Sequence, residues 1–454
     1  MRCWVILLGL TGVLLASAPS QAAVFSLAQA MGIAYETNPR LDGARAALRA
    51  LDEGVAQANA GWRPSVNASG SYGVEHGTID GFATAFDSHP LIGQVTVTEP
   101  VFRGGRTYAE VGQAIAQVKA GRASLTGVEQ DVLLGAVTAY MDVVRDSAIL
   151  RFNQDNISAL TKEADAVRTM LAAGAVTRTD ASQAEARLAK AQSDEAAAEQ
   201  QFAASRAAFE NVIGRPPESL EQAPPVPRLP GTPDAALDVA LAQHPDVLQA
   251  KSSARAADYA VDDANGALLP QIAVSGQYQY LRDAAGTNIF ATKRPQQVMS
   301  VLGQVTVPIY QAGGDEATVR RAKEVRQQST IAIASAERNV RENVSSAWQA
   351  VRSAQTAIGA NEAQVNADEK AVESATQEQQ AGERSVIDVL NAQQELVSAQ
   401  VALAASRHDN VVAAYRLMSA MGQLTARTLG LHVRTYDPRT HYDDDADAWV
   451  GFGD

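Results

Sequence analysis

Residues that could carry out catalysis are few and widely separated in this chain. The histidines fall in predicted loops, at a predicted helix start, in a helix and in the C-terminal segment, without the spacing of metal ligands: they are His76, His89, His244, His408, His432 and His441. Glycine pairs at 104–105 and 313–314 lack the lysine of a phosphate-binding loop and favour strand-to-helix turns. We therefore predict no enzyme activity, no cofactor and no metal site.

One carboxylate, that of Asp388, stands where it could act on ions. It follows Ala381-Gly382, at a point where a long helical segment is interrupted. If several copies of the chain pointed this side chain inward, the ring of carboxylates would raise a barrier to anions and attract cations. The alternative is an ordinary aspartate at a helix start, where negative charge is favourable. The sequence alone leaves both interpretations open.

The segments that position Asp388 occur twice. The pentapeptide Gly-Gln-Val-Thr-Val stands at 93–97 and again at 303–307, and Ala173-Gly174 with Asp180 recurs as Ala381-Gly382 with Asp388 at an offset of 208. Each pentapeptide leads into a proline, an aromatic residue and a glycine pair. So many landmarks in one order indicate a duplicated unit.

Long helices fill most of each repeat. No proline lies between Pro100 and Pro216 or between Pro308 and Pro438, and both intervals are rich in helix-forming residues. The segment 107–172 alone would form a rod of roughly 100 Å at 1.5 Å per residue. After a short break at 173–179 or 381–386, each rod returns through about 35 residues. Each repeat is therefore predicted to contain a long helical hairpin.

Before each rod, polar and apolar residues alternate as they do in strands of membrane barrels. The predicted strand pairs are 64–76 with 91–99 and 270–280 with 298–307, separated by polar loops at 77–90 and 281–297. Four strands cannot close a barrel, and an open sheet edge is not tolerated in lipid, so several chains would have to pool their strands. The alternative is a soluble pair of β-hairpins capping a coiled coil.

The ends of the chain and the segment between the repeats differ in composition from the repeats themselves. Residues 1–22 have the basic start, short apolar run and small residues of a secretory signal peptide, and the only cysteine, Cys3, lies there. The first repeat is assigned to 23–215, a proline-rich connector to 216–233 and the second repeat to 234–430. The acidic segment 431–454 is predicted to be disordered.

The net charge of −13, without a basic run, argues against nucleic-acid binding.

The segment Ala381-Gly382-Glu383-Arg384-Ser385-Val386-Ile387-Asp388-Val389-Leu390-Asn391-Ala392-Gln393-Gln394-Glu395-Leu396 resembles the distal hairpin motif of TolC-type outer-membrane factors. The repeat layout is similar to that family over roughly 25–430. The resemblance implies a mainly α-helical protein with a membrane β-barrel portion. It further implies a homotrimer in the cell outer membrane, with a shared twelve-stranded barrel and a periplasmic α-helical tunnel. The implied partners are a periplasmic adaptor and an inner-membrane ABC or RND-type pump.

The same resemblance assigns roles at the hairpin tips, where Gly174 and Gly382 would face the adaptor. Asp388 matches an aspartate of the periplasmic constriction, while Asn391 stands in place of its second aspartate. Arg384 matches an arginine that links neighbouring hairpins, and Gln379 stands in place of a linking tyrosine. Asp180 matches an aspartate of the first-repeat hairpin.

The predicted function is export through an outer-membrane channel-tunnel, of proteins by type I secretion, of small molecules by efflux, or of both. The segment 385–393 is closest to members used in type I secretion. The alternative is a periplasmic coiled-coil adaptor without its own pore, which the duplication and the paired strands disfavour.

Overall fold

A computed structural model describes residues 25–79, 82–283 and 295–451, so the predicted signal peptide lies outside the described residues. The helices are α1 (Leu27–Thr37), α2 (Pro39–Asn59), α3 (Arg106–Ala172), α4 (Arg178–Ile213), α5 (Pro233–Gln243), α6 (Pro245–Gly266), α7 (Gly314–Gln380), α8 (Val386–Ala420) and α9 (Thr440–Asp445). Both α3 and α7 contain 67 residues, which corresponds to a length of about 100 Å. In the described part of the chain, no helix has both the length and the apolar composition needed to cross a bilayer.

Short helices precede the strands in both repeats, and local capping explains where they begin. The Ser26 hydroxyl accepts a hydrogen bond from the Gln29 N–H at 3.3 Å, and the Ser26 N–H donates to Gln29 Oε1 at 3.0 Å. Proline occupies the first position of both α2 and α6, where its missing N–H would be unpaired in any case. His244 Nδ1 accepts from the Asp246 N–H at 3.2 Å, which confirms the predicted helix start.

Four of the described strands form one antiparallel sheet in the order β1-β4-β5-β6, and β2 pairs separately with β3. The strands are β1 (Ser65–Tyr72), β2 (Glu75–Ile79), β3 (Phe82–Ser88), β4 (Leu91–Arg103), β5 (Gln271–Arg282) and β6 (Gln296–Thr306). The register of β4 on β5 runs from Leu91 opposite Arg282 to Arg103 opposite Gln271. This pairing joins the two repeats edge to edge.

The prediction was wrong about part of the loop at 77–90, because that segment contributes to the β2–β3 hairpin, with Glu75 opposite Ser88. Strand β4 also continues past Pro100. The register shifts between Pro100 and Phe102, and such a bulge accommodates a residue that cannot donate to the ladder. Most of the other predicted loop, 281–297, lies outside the described residues.

The edge strands are exposed on both faces within a single chain. Every residue of β1 and β6 is exposed, including the apolar Val66, Val301 and Val305. Within the described residues, neither strand has a partner on its outer side. An apolar sheet with two free edges is incomplete as an isolated fold, as the strand pattern predicted.

The main core extends through helices of both repeats, and one part of it lies where α1, α3 and α4 meet the connector between the repeats. Tyr140 of α3 is fully buried, and its hydroxyl donates to the Phe25 carbonyl at 2.7 Å and accepts from the Glu221 N–H at 2.7 Å. The ring of Phe209 lies 6.2 Å from that of Phe25 and 6.3 Å from that of Tyr140, between centroids. The connector is thereby fixed to the first long helix.

The C-terminal segment is folded, so the prediction of disorder for 431–454 is wrong as far as residue 451. Tyr436 packs against the main core. Asn59 Nδ2 donates to the Ala446 carbonyl at 2.9 Å, and the Arg63 guanidinium lies 4.7 Å from the centroid of the Trp449 ring. The prediction relied on the acidic composition and overlooked the aromatic residues of this segment, which contact the core and the end of α2. Residues 452–454 lie outside the described range.

Candidate functional site at the hairpin tips

Each long hairpin turns at a glycine with left-handed backbone geometry. The first tip is the segment 173–177 between α3 and α4, and the second tip is the segment 381–385 between α7 and α8. Gly174 has φ of 76° and Gly382 has φ of 78°. The N–H after each glycine bonds five residues back, at 2.9 Å in both tips, and the glycine N–H bonds three residues back, at 3.0 Å in both. This pair of bonds ends a helix where only glycine fits without strain.

The predicted aspartates form capping boxes at the starts of the returning helices. Asp180 Oδ2 accepts from the Thr177 hydroxyl at 2.7 Å and from the Thr177 N–H at 2.9 Å. Asp388 Oδ2 accepts from the Ser385 hydroxyl at 2.7 Å and from the Ser385 N–H at 3.3 Å. These bonds lower the pKa of both carboxyls, and Arg384 adds a smaller lowering at Asp388. Asp388 therefore serves a helix start, whether or not it also contributes to a ring.

The two tips pack together within one chain. Val386 and Leu390, from the first turns of α8, are buried in a separate apolar cluster. The rest of its buried members come from the first hairpin: Leu160, Ala164, Val167, Ala181, Ala184 and Ala191. The second tip is thus held against the first by burial of two aliphatic side chains.

Two polar contacts also join the hairpins, and both involve residues that the resemblance singled out. Gln379 Nε2 donates to Glu163 Oε1 at 2.9 Å, between α7 and α3. Arg187 Nη2 donates to Asn391 Oδ1 at 3.0 Å, between α4 and α8. Sequence reasoning found Gln379 and Asn391 but missed their partners, because nothing in a single sequence connects residues so far apart.

Arg384 is paired within its own hairpin. Its Nε lies 2.8 Å from Glu378 Oε2, near the end of α7, and both side chains are about half exposed. Such an exposed pair contributes roughly 0–1 kcal/mol and exchanges partners readily. Arg384 is therefore half exposed at the second tip and has a weakly held partner. The tips as a whole present carboxylates, amides and a guanidinium, groups that can set the charge of an opening.

The comparison with known protein families agrees with the architecture. The family described as outer membrane efflux protein matches residues 31–215 and 236–423, which fall in the two repeats. The chain is 35% identical to the outer membrane efflux protein BepC of Brucella suis biovar 1, over 94% of this chain and 91% of that protein. It is 23% identical to the outer membrane protein TolC of Escherichia coli K12, over 92% of this chain and 87% of that protein.

A solved structure shows the same fold. The crystal structure of CusC, described in connection with transmembrane channel formation, superposes with a TM-score of 0.78 at 17% identity, over 88% of this chain and 92% of CusC. Relatives in this family are outer-membrane channel proteins rather than enzymes. The resemblance to TolC-type factors is confirmed, and this chain belongs to the outer membrane efflux protein family, as an exporter of the outer membrane.

Proposed function

We propose that this exporter is a homotrimer in which three four-stranded sheets close one twelve-stranded barrel. The observation that carries the proposal is the pair of free edges, β1 and β6, on a sheet exposed on both faces. In lipid every backbone amide needs a partner, so β1 of one chain would pair with β6 of the next. Three copies, the number that the family resemblance implies, supply twelve strands, more than the eight of the smallest membrane barrels.

The long helices support the same assembly. Helix α3 is packed on several sides, whereas α7 leaves the apolar Val325 and Ile331 exposed at 47% and 60%. These residues lie on the outside of the single chain, where the helices of a neighbouring copy would cover them. The hairpins of three copies would then enclose a periplasmic tunnel about 100 Å long.

Cysteine cross-linking tests the barrel directly, because Cys3 is the only native cysteine and lies in the predicted signal peptide. Asn67→Cys on β1 should form intermolecular disulfides with one or two positions in a cysteine scan of β6. The matched control is Gln94→Cys on β4, which has strand partners on both sides and should not cross-link between chains. Failure of every β1–β6 pair, together with a soluble periplasmic pool, would support the adaptor alternative.

The second tip is proposed as the periplasmic gate, with Asp388 facing the opening and Arg384 linking neighbouring hairpins when closed. A neighbouring carboxylate could replace Glu378 as the partner of Arg384, since that pair is exposed. Gln379 and Asn391 already join the hairpins within each chain. Opening would therefore separate chains from one another while each chain keeps its two tips together.

Conductance of the purified channel in planar bilayers tests this gate. Arg384→Glu should raise the open probability, while Ala175→Glu, on the exposed part of the first tip, should have a smaller effect. Asp388→Asn should weaken cation selectivity more than Asp180→Asn does. An Arg384→Glu channel as closed as the wild type would exclude the link, and an unchanged reversal potential in Asp388→Asn would exclude the ring.

The exposed tips, including Gly174 and Gly382, are proposed to meet a periplasmic adaptor that connects to an inner-membrane ABC or RND-type pump. The likeness of the segment 385–393 to type I secretion members supports a protein cargo, with small molecules as the second candidate. Photo-cross-linking from Glu383, at the second tip, should capture the adaptor in intact cells. Deleting the gene of the pump that binds the captured adaptor should then abolish either protein secretion or drug tolerance, which identifies the cargo class.

A further inference from the structure

Helix α9 places a histidine among three carboxylates at the surface of the first repeat. His441 Nε2 lies 3.3 Å from Asp445 Oδ2 and 3.8 Å from Glu53 Oε1. On the other side of the ring, His441 Nδ1 lies 3.4 Å from Asp52 Oδ2. Asp52 and Glu53 belong to α2, so the cluster joins the C-terminal segment to a helix near the start of the chain.

The group on the Nε2 side has the spacing of a metal site. One ligand atom each from Glu53, His441 and Asp445 lies within 4.8 Å of the others. Bonds of about 2.0–2.2 Å in tetrahedral geometry separate neighbouring ligand atoms by roughly 3.4 Å. The distances from Nε2 to the two carboxylates, 3.3 and 3.8 Å, bracket that value. His441 and Asp445 are four residues apart and share one face of α9.

Asp52 of α2 faces the other ring nitrogen of His441, with its Oδ2 at 3.4 Å from Nδ1. It is only 1% exposed, and among the described residues neither of its carboxylate oxygens accepts a hydrogen bond that meets normal geometry. A carboxylate beside the outer nitrogen is the usual support of a metal-binding imidazole, and Asp52 would take this role once Nδ1–H moved within hydrogen-bond distance of Oδ2. The lone pair of Nε2 then faces Glu53 and Asp445.

We propose that His441, Glu53 and Asp445 bind one divalent transition-metal ion, with Asp52 orienting the histidine. One imidazole and two carboxylates, open to solvent for a fourth ligand, suit Zn²⁺, whereas Ca²⁺ and Mg²⁺ prefer oxygen ligands alone. The ion links the C-terminal segment to α2. This link lies close to the contacts that Asn59 and Arg63 make with the same segment, next to the start of β1. This site was not predicted from the sequence, since Glu53 and His441 lie at opposite ends of the chain.

Calorimetric titration of the untagged, full-length channel in detergent with ZnCl₂ measures the site. One Zn²⁺ per chain should bind to the wild type, and His441→Ala should lose this binding. Asp52→Asn keeps all three ligands and should weaken affinity about 10–100-fold. Asp444→Asn, on the exposed face of the same helix, is the matched control and should bind as the wild type does. Equal zinc binding by the wild type and His441→Ala would overturn the proposal.

The rate of trypsin cleavage after the exposed Arg439 measures how firmly α9 is held to the rest of the chain. If cleavage needs the segment to open, Zn²⁺ at 100 times its Kd should slow release of the C-terminal peptide about 100-fold. Ca²⁺ at the same concentration should not, and Zn²⁺ should have no effect on His441→Ala. If Zn²⁺ protects His441→Ala as much as the wild type, zinc acts elsewhere and the cluster is a set of ion pairs without a metal.

Discussion

The two hairpin tips share a backbone design but present different side chains. Both turn at a left-handed glycine and restart with a hydroxyl residue and an aspartate three positions later. The first tip continues from its glycine with Ala175-Val176, and Val176 packs on the apolar cluster. The second continues with the charged Glu383-Arg384.

The following helices diverge as well. Helix α8 begins with the buried Val386, whereas α4 begins with the exposed Arg178 at the equivalent position. The duplication has therefore kept the residues that the chain reversal requires. The residues that decide what each tip contacts have diverged between the repeats. The first hairpin provides most of the apolar surface, and the second tip packs on it.

The largest test of this asymmetry is Leu390→Ala. Leu390 is 2% exposed within the apolar cluster, so its truncation should destabilise the second tip by about 2–5 kcal/mol. The equivalent residue of the first repeat is the exposed Ser182, and Ser182→Ala should change stability by less than about 0.5 kcal/mol. Hydrogen–deuterium exchange of peptides from each tip measures both, and equal effects would contradict the asymmetry.

Gly174→Ala and Gly382→Ala test what the tips share. An added Cβ meets no atom within 4 Å at either glycine, so only the left-handed backbone opposes it, at about 1–2 kcal/mol in each case. Gly359→Ala in the middle of α7 is the control, because it has equal space but helical geometry, and it should stabilise by roughly 0.5–1 kcal/mol. Hydrogen–deuterium exchange of peptides from each tip measures these changes in stability as well. A clear difference between the two tip variants would show that their backbones are not equivalent.

Asn391→Ala should remove the polar contact with Arg187 and weaken the attachment of the second tip by about 1 kcal/mol. Gln183→Ala, the equivalent change in the first repeat, should be close to neutral. A double-mutant cycle with Arg187→Ala isolates the pair from other effects. A coupling energy of zero in that cycle would mean that the contact does not hold the tips together.

Acid should weaken both tips, because each capping aspartate has a folded pKa below its usual value of about 3.9. A lowered folded pKa contributes stability above the unfolded pKa, and that contribution is lost as the pH falls through the folded value. Exchange at the tips, corrected for its intrinsic pH dependence, should therefore be flat from pH 7 to about 5 and rise below about 4. Asp388→Asn should abolish the acid response at the second tip alone. A response that persisted there would have another origin.

Much of the fold was predictable, because it depends on local chemistry that the sequence repeats. Glycine at 174 and 382, the hydroxyl–aspartate pairs and the alternating strands each specify structure within a few residues. The β2–β3 hairpin was missed because its two strands are short and the segment carries glycine, aspartate and proline, which are typical of loops. The C-terminal segment was misjudged because its charge outweighed its aromatic residues in composition.

The candidate site was only partly predictable. The family resemblance identified Asn391 and Gln379, but their partners, Arg187 and Glu163, lie in the other repeat. Such contacts depend on how two rods lie side by side over their whole length, which a single sequence does not encode locally. The partner of Arg384, by contrast, lies six residues before it and belongs to the same turn.

The pairing of β4 with β5 imposes an order on biogenesis. Leu91 cannot pair with Arg282 until the chain has been synthesised and exported past residue 282, which lies in the first part of the second repeat. Until then the first repeat carries an apolar strand with an open edge, a state prone to join the wrong chain. Closing so long a loop is slow, so maturation should be limited by the arrival of β5 rather than by helix formation. A chain stalled before residue 271 would depend on chaperones for as long as it waits.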